Sequence, residues 1–295
     1  MIKSCCVKNY TMRFLIVLSF FAVCSEQALG SKILAVMTVP SHSHHHWNLV
    51  YLKALAERGH KITYLGVDEY KNPAPNISYI FIDNAYDLYG SMDFTDLSDK
   101  NLFSDLAELY EWYNLEITDF VKQKGFQEFL KVVKTEKFDL VVFDLGTISF
   151  WLGAVDLMGR PPVIGITAFG VPEWSMDFSG TPYPIQNNPH FLLPMGKNMS
   201  FWERLYNAGV FYYAKFLRKY YHMELQEREA KKVFGEGIRN IAEIEDDIAI
   251  NLVNINWATE GSFPMSPSLI PIGGLHIKPV QTLPKVWLRN SYKVV

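Results

Sequence analysis

Apolar and polar positions along this chain switch between two periods. Ile33 to Met37 is an unbroken apolar run, the pattern of a parallel strand buried on both faces. Beyond it Leu49, Leu52, Leu55 and Ala56 fall on one side of a helical period, and Gly59 offers a C-terminal stop. Lys61 to Leu65 and Ile77 to Ile82 read as a second and a third strand. Residues 96–137 read as helical with a break at Gly125, Leu140 to Phe143 as a buried strand, 148–158 as a helix, and Pro162 to Thr167 as one more strand. Strands and helices taking turns predict an α/β fold, a Rossmann-like doubly wound parallel sheet with right-handed crossovers.

The second half is less regular. Residues 170–200 are rich in Pro, Gly and Asn and read as a long irregular connection. A helical tract from Phe201 to Phe234 follows, carrying Phe201, Trp202, Tyr206, Phe211, Tyr212, Tyr213, Phe216, Tyr220 and Tyr221 among Lys and Arg. The simpler reading is a pair of core-packing helices; the sharper one is a surface for a membrane or a partner protein. Ile248 to Asn254 reads as a strand and Pro271-Ile272-Gly273-Gly274 as a turn-like segment. From Leu283 on no period is visible, and the end reads as a tail.

Composition changes the picture mainly at the N-terminus. The 295 residues, 49% hydrophobic and 20% charged, are those of an ordinary globular chain. Lys3, Lys8 and Arg13 precede an apolar stretch from Phe14 to Cys24, and Ala28-Leu29-Gly30 offers small residues for cleavage before Ser31. Residues 1–30 therefore read as a signal peptide, too short to span a membrane. Met12-Arg13 could start a shorter version of it, with residues 1–11 an upstream extension. Cys5, Cys6 and Cys24 all leave with that segment, so the mature chain must rely on its core instead of disulfides. Removing Lys3, Lys8, Arg13 and Glu26 leaves 25 basic against 30 acidic residues, a formal charge of −5. No basic tract occurs, which argues against a nucleic-acid partner. Asn76-Ile77-Ser78 and Asn198-Met199-Ser200 are sequons, making Asn76 and Asn198 candidate glycosylation sites in a secretory compartment. No long apolar run follows the signal segment, so the expectation is the lumen of the endoplasmic reticulum, with secretion open because no C-terminal membrane helix is seen.

The candidate chemistry lies in Ser41-His42-Ser43-His44-His45-His46-Trp47-Asn48, between the first strand and the helix that ends near Gly59. In an open α/β sheet the loop after the first strand lies at the carboxyl edge, where ligands bind. Three readings stand: a metal site, histidines that only decorate a loop, and a catalytic base. Adjacent histidines in a loop diverge, and no cysteine is at hand, so no metal is expected. A helix N-terminus beside the run disfavours imidazolium and keeps a ring able to accept a proton. Asp144 closes the strand that starts at Leu140 and reaches the same edge. It could cap the following helix, or it could orient a histidine and balance its charge without any serine. No Gly-x-Ser-x-Gly elbow occurs, which argues against an esterase.

Pro40-Ser41 to Asn48 and Leu55-Ala56-Glu57-Arg58-Gly59-His60-Lys61-Ile62-Thr63 resemble the start of the UDP-glycosyltransferases, insect members especially. Phe138-Asp139-Leu140-Val141-Val142-Phe143-Asp144 resembles the strand that bears their catalytic aspartate, and Ile272-Gly273-Gly274-Leu275-His276-Ile277-Lys278-Pro279 the segment joining their halves. The resemblance covers roughly 31–284 and implies the N-terminal domain of a GT-B glycosyltransferase, with residues 31–280 an acceptor-binding domain and 281–295 a truncated linker. It implies His44 as the base, fourteen residues before Arg58, and Asp144 as its partner. Transfer would take a hexosyl group from a UDP-sugar co-substrate, with inversion and no other cofactor, to a hydroxyl of a small lipophilic acceptor. Phe169 and Trp174 are candidate walls for that acceptor. The family's His-Gly-Gly and Asp-Gln donor signature does not occur in this sequence. The expectation is therefore a half not competent alone, or a non-catalytic partner of full-length transferases.

Overall fold

The computed structural model describes residues 30–83, 85–89, 102–146, 148–171, 173–260 and 264–278. The signal segment up to residue 29, positions 96–101 of the expected helical stretch and the tail 281–295 lie outside the described residues. Among the described residues seven strands form one sheet: β1 (Lys32–Met37), β2 (Lys61–Gly66), β3 (Ile77–Phe81), β4 (Leu140–Asp144), β5 (Val163–Thr167), β6 (Ile248–Val253) and β7 (Leu269–Pro271). Their order is β3-β2-β1-β4-β5-β6-β7, and every pairing is parallel. The expected doubly wound sheet is what the chain forms. The order reverses between β1 and β4, where Val36 is paired with Phe143.

The apolar runs work because successive side chains point to opposite faces and both faces are covered. Leu34, Val36, Leu65, Val141 and Phe143 enter one core, and Ile33, Ala35, Met37, Tyr64 and Val142 the other. The second core is closed by α1 (His42–Glu57), through Trp47, Leu49, Leu52 and Ala56. The first is closed by α3 (Leu102–Phe120), α4 (Lys124–Thr135), a 3-10 turn (Ser149–Gly153) leading into α5 (Ala154–Leu157), and later helices. Trp151, Phe126, Phe129 and Phe150 sit at its centre, fully buried.

Several boundaries differ from the sequence reading. The histidine run is not a loop: α1 starts at His42, directly after Pro40 and an extended Ser41 whose carbonyl accepts from the His45 amide at 3.0 Å. The break in the long helical stretch falls at 121–123, not at Gly125. Gly125 lies inside α4, where a Cβ would come within 1.8 Å of the Phe81 carbonyl oxygen, so it is there for close packing against β3. The region 170–200 holds one short helix, α6 (Glu173–Phe178), after α2 (Ala85–Tyr89) earlier in the chain. Leu269–Pro271, of which only Pro271 was assigned, to the turn-like segment 271–274, pairs with β6 as an edge strand, a position that tolerates proline. The tract 201–234 is α7 (Phe201–Leu217), a π-helical segment (Arg218–His222) and α8 (Met223–Phe234). Both helices pack into the cores as the simpler reading expects, through Val210, Ala214, Met223, Ala230 and Phe234, but most of the aromatics take no part: Phe201, Trp202, Tyr206, Tyr212, Phe216, Tyr220 and Tyr221 are exposed, and Phe211 is buried. Helices α9 (Ile241–Asp246) and α10 (Trp257–Glu260) flank β6. No helix among the described residues is long and apolar enough to cross a membrane.

Gly165 in β5 shows how tightly the sheet is packed, since a Cβ there would lie 2.3 Å from the Asn251 Oδ1 and 2.8 Å from a methyl of Leu145. Gly165→Ala should cost about 1–3 kcal/mol of unfolding free energy, the usual penalty of overpacking, read as a lower urea midpoint with unchanged slope. An unchanged midpoint would mean that β5 and β6 are looser than described.

Candidate active site

His44 is the third residue of α1, which follows β1, and Asp144 is the last residue of β4, so the two meet where the strand order reverses. That crevice is where open α/β sheets bind ligands. Both side chains are buried, His44 at 4% and Asp144 at 0% of full exposure. The His44 Nδ1 lies 3.6 Å from the Asp144 Oδ2, a close ionic approach but longer than a hydrogen bond. Asp144 is held by other donors: the Asn48 amide Nδ2 at 2.8 Å on Oδ2 and the Gly146 backbone N–H at 2.9 Å on Oδ1. It therefore tethers the turn after β4 and does not cap the following helix, whose N-cap is Ile148.

Asn48 was not singled out in the sequence, yet it lies four residues after His44 and so on the same helix face. Gly146 was also missed. A Cβ there would be 3.2 Å from Asp144 Oδ1 and from a Val39 methyl, and 3.5 Å from His44 Cε1. A side chain at this point would press on Asp144 and Val39 by a few tenths of an ångström. With Nδ1 facing Asp144, Nε2 is the His44 nitrogen left for a ligand.

The other three histidines go elsewhere. His42 Nδ1 is 2.9 Å from the Asp68 Oδ2, His45 Nδ1 is 2.6 Å from the Tyr64 hydroxyl, and His46 Nδ1 donates to the His42 carbonyl at 2.7 Å. Burial holds His45 below the usual histidine pKa, with the neighbouring Asp68 charge opposing. The four rings do not converge, and among the described residues no group of His, Cys, Asp or Glu is placed to hold a metal ion.

Phe169 meets His44 edge-on, with ring centroids 4.4 Å apart, and Trp174 donates its indole N–H to the Leu145 carbonyl at 2.8 Å. Trp174 lines two adjoining spaces, an inner cavity of about 50 Å³ and an outer groove of about 840 Å³. Gly146 is in the wall of the inner one, while His44, Asp144 and Phe169 line neither space. Glu173, Arg218 and Tyr110 are shared by both walls, and His222 lines the inner cavity. None of these four was foreseen; they come from α3, α6 and the π segment, and only Arg218 and His222, four residues apart, are linked by spacing. Of the sequon residues, Asn76 sits at φ 65° with its Nδ2 donating to the Ala56 carbonyl at 3.2 Å, and Asn198 is exposed ahead of α7.

No protein-family model matches the chain. It is 28% identical to UDP-glucosyltransferase 2 of Dactylopius coccus over 284 residues, covering 92% of this chain and 52% of that protein. It is 26% identical to UDP-glucuronosyltransferase 3A2 of Homo sapiens over 272 residues, covering 87% and 50%. The chain is a relative of the UDP-glycosyltransferases. It spans about half the length of the UDP-glycosyltransferases it matches. Among solved structures it aligns with the glycotransferase of kitacinnamycin over 83% of this chain and 51% of that one, at a TM-score of 0.45 and 14% identity.

Two outcomes follow from this geometry. Asn48→Ala removes a donor from a fully buried carboxylate and should destabilise the fold by about 1–3 kcal/mol in chemical denaturation; no change would mean that Asp144 is solvated after all. Burial, with the Arg218 charge beside it, lowers the His222 pKa to about 3. Between that value and the ordinary value near 6.5 the unfolded chain binds more protons than the folded one, so stability falls as pH drops through this window. From pH 7 to pH 5 the loss attributable to His222 is about 2 kcal/mol. His222→Gln should remove that part of the slope, and an identical slope in the two proteins would contradict a neutral buried ring.

Proposed function

We propose that this chain forms the acceptor-binding half of a UDP-sugar-dependent glycosyltransferase, a GT-B domain that positions a small lipophilic hydroxyl compound at His44. The observation that carries the reading is the meeting of His44 and Asp144 at the point where the strand order reverses, in a relative of the UDP-glycosyltransferases. In this reading His44 Nε2 takes the acceptor hydroxyl proton as the oxygen attacks C1 of the sugar. The C1–oxygen bond to UDP breaks, and UDP leaves with the electron pair. The imidazolium so formed stands beside the Asp144 carboxylate in a dry setting, where its charge is worth more than in water. The 3.6 Å separation closes readily once the ring is charged, and such contacts commonly tighten only with substrate in place.

Phe169, edge-on to His44, and Trp174, which lines both the cavity and the groove, are the acceptor walls in this reading. Relatives named for glucosyl and glucuronosyl transfer leave a hexose as the common donor class. The exposed aromatic face of α7 and the π-helical segment, interleaved with Arg204, Lys215 and Lys219, is assigned to contact with a membrane surface or a full-length transferase. A secretory route into the endoplasmic reticulum lumen, with glycans at Asn76 and Asn198, completes the proposal.

The test joins this chain to the remaining half of UDP-glucosyltransferase 2 of Dactylopius coccus and supplies UDP-glucose with a phenolic acceptor. Transfer is expected there, while the chain by itself binds acceptor without transfer. His44→Ala should lower kcat by about a hundred- to ten-thousand-fold and leave acceptor affinity within about threefold. Transfer that survives His44→Ala would remove this residue from the role of base.

A further inference from the structure

The exposed face of α7 carries more pattern than a membrane or an arbitrary partner requires. Trp202, Leu205, Gly209, Tyr212 and Phe216 follow one another at steps of three and four residues, the spacing of a coiled-coil seam. The buried residues Asn207, Val210, Phe211 and Ala214 occupy the opposite side of the helix. The π-helical segment prolongs the seam, because its wider turn keeps Tyr220 in line with Phe216, their ring centroids 5.2 Å apart. Trp202, Leu205, Tyr212, Phe216 and Tyr220 are each more than half exposed.

Gly209 is the odd member. It lies mid-helix on the exposed side, and nothing stands within 4 Å of the place its Cβ would take. Packing within the chain therefore gives no reason for a glycine, which weakens a helix interior relative to alanine. A gap between aromatic neighbours does suit a side chain arriving from outside.

We infer that this seam pairs with the same seam of a second copy of the chain, the two helices antiparallel, with Tyr212 of each copy seated over Gly209 of the other. In that register Leu205 faces Phe216, and Trp202 faces the turn of Lys219 and Tyr220, where an ammonium can lie on the indole. Each contact occurs twice, as a two-fold interface demands. Charge favours a protein over a lipid surface. Lys215 is paired with Asp177 at 2.8 Å and Glu203 stands beside Arg204, so the face has little net charge to draw it to anionic lipid. The four aromatic rings, able to bury about 150–250 Å² each, offer with Leu205 on the order of 600 Å² per copy at their present exposure, the lower end of stable interfaces. The pairing is independent of the chemistry at His44, and its failure would leave the proposed function standing.

Sedimentation velocity on the whole chain should show a monomer–dimer equilibrium with a dissociation constant of about 10 μM or below. Tyr212→Glu, at an exposed position, should weaken it at least about thirtyfold. Gly209→Leu separates the two kinds of occupant, because it fills the gap and enlarges the apolar face. Self-pairing should fall at least about tenfold, whereas adsorption to vesicles of phosphatidylcholine and phosphatidylserine would rise. Orientation is read with Cys5, Cys6 and Cys24 replaced by serine. A short bismaleimide should then join a Leu205→Cys chain to a Phe216→Cys chain, and not two Leu205→Cys chains to each other. A chain still monomeric at about 100 μM, a dimer indifferent to both variants, cross-linking between like chains, or vesicle binding that strengthens in Gly209→Leu would each overturn the assignment.

Discussion

The structure turns on one carboxylate. Asp144 ends a strand buried on both faces and has no contact with water, so the chain itself must supply what solvent would. An unpaired buried carboxylate costs several kcal/mol, and here Asn48, the Gly146 amide and the His44 ring gather around it. Two of these belong to α1 and one to the turn after β4. They can meet because β1 and β4 are neighbours in the sheet. The need for donors is met by helix through this stretch, which puts residues 44 and 48 on one face. Burial of Asp144, the helical run of α1 and the Gly146 amide form one constraint.

The sheet was legible because parallel strands buried on both faces read as apolar runs, and β1, β4 and β5 do so. β7 was not, since three residues ending in Pro271 carry no period of their own and gain their strand character from β6. The histidine run reads as a loop by composition, and the helix there is set by tertiary demand, Asp144 calling in the first turn. His44 and Asp144 were identified from resemblance and topology together. Asn48 could have been found from its spacing of four. Glu173, His190 and His222 could not, because they converge from a short helix, an irregular segment and a π turn that leave no mark in hydrophobic pattern. The α7 aromatics failed in the opposite direction: hydrophobicity predicts burial only where a partner surface exists, and this face has none among the described residues.

The same sheet edge carries two histidine–carboxylate pairs, and their contrast bears on which is suited to chemistry. His42 and Asp68 make the shorter contact, 2.9 Å, and the ring stacks on Tyr86 with centroids 4.6 Å apart. Asp68 also accepts from the Tyr86 hydroxyl. Yet the His42 side chain is 75% exposed, so water stabilises its charged form with or without Asp68, and the pair adds little. It lies at the end of β2, one strand away from the reversal in strand order. His44 and Asp144 are further apart but dry. A proton arriving on His44 meets no solvent to share its charge, and the Asp144 carboxylate is the principal counterweight. In the proposed reaction that is the useful arrangement: an imidazole beside an anion already fixed by Asn48 and Gly146 and in no need of reorganisation. The closer contact is the solvated one, and the longer, dry approach leaves room for a charge to appear.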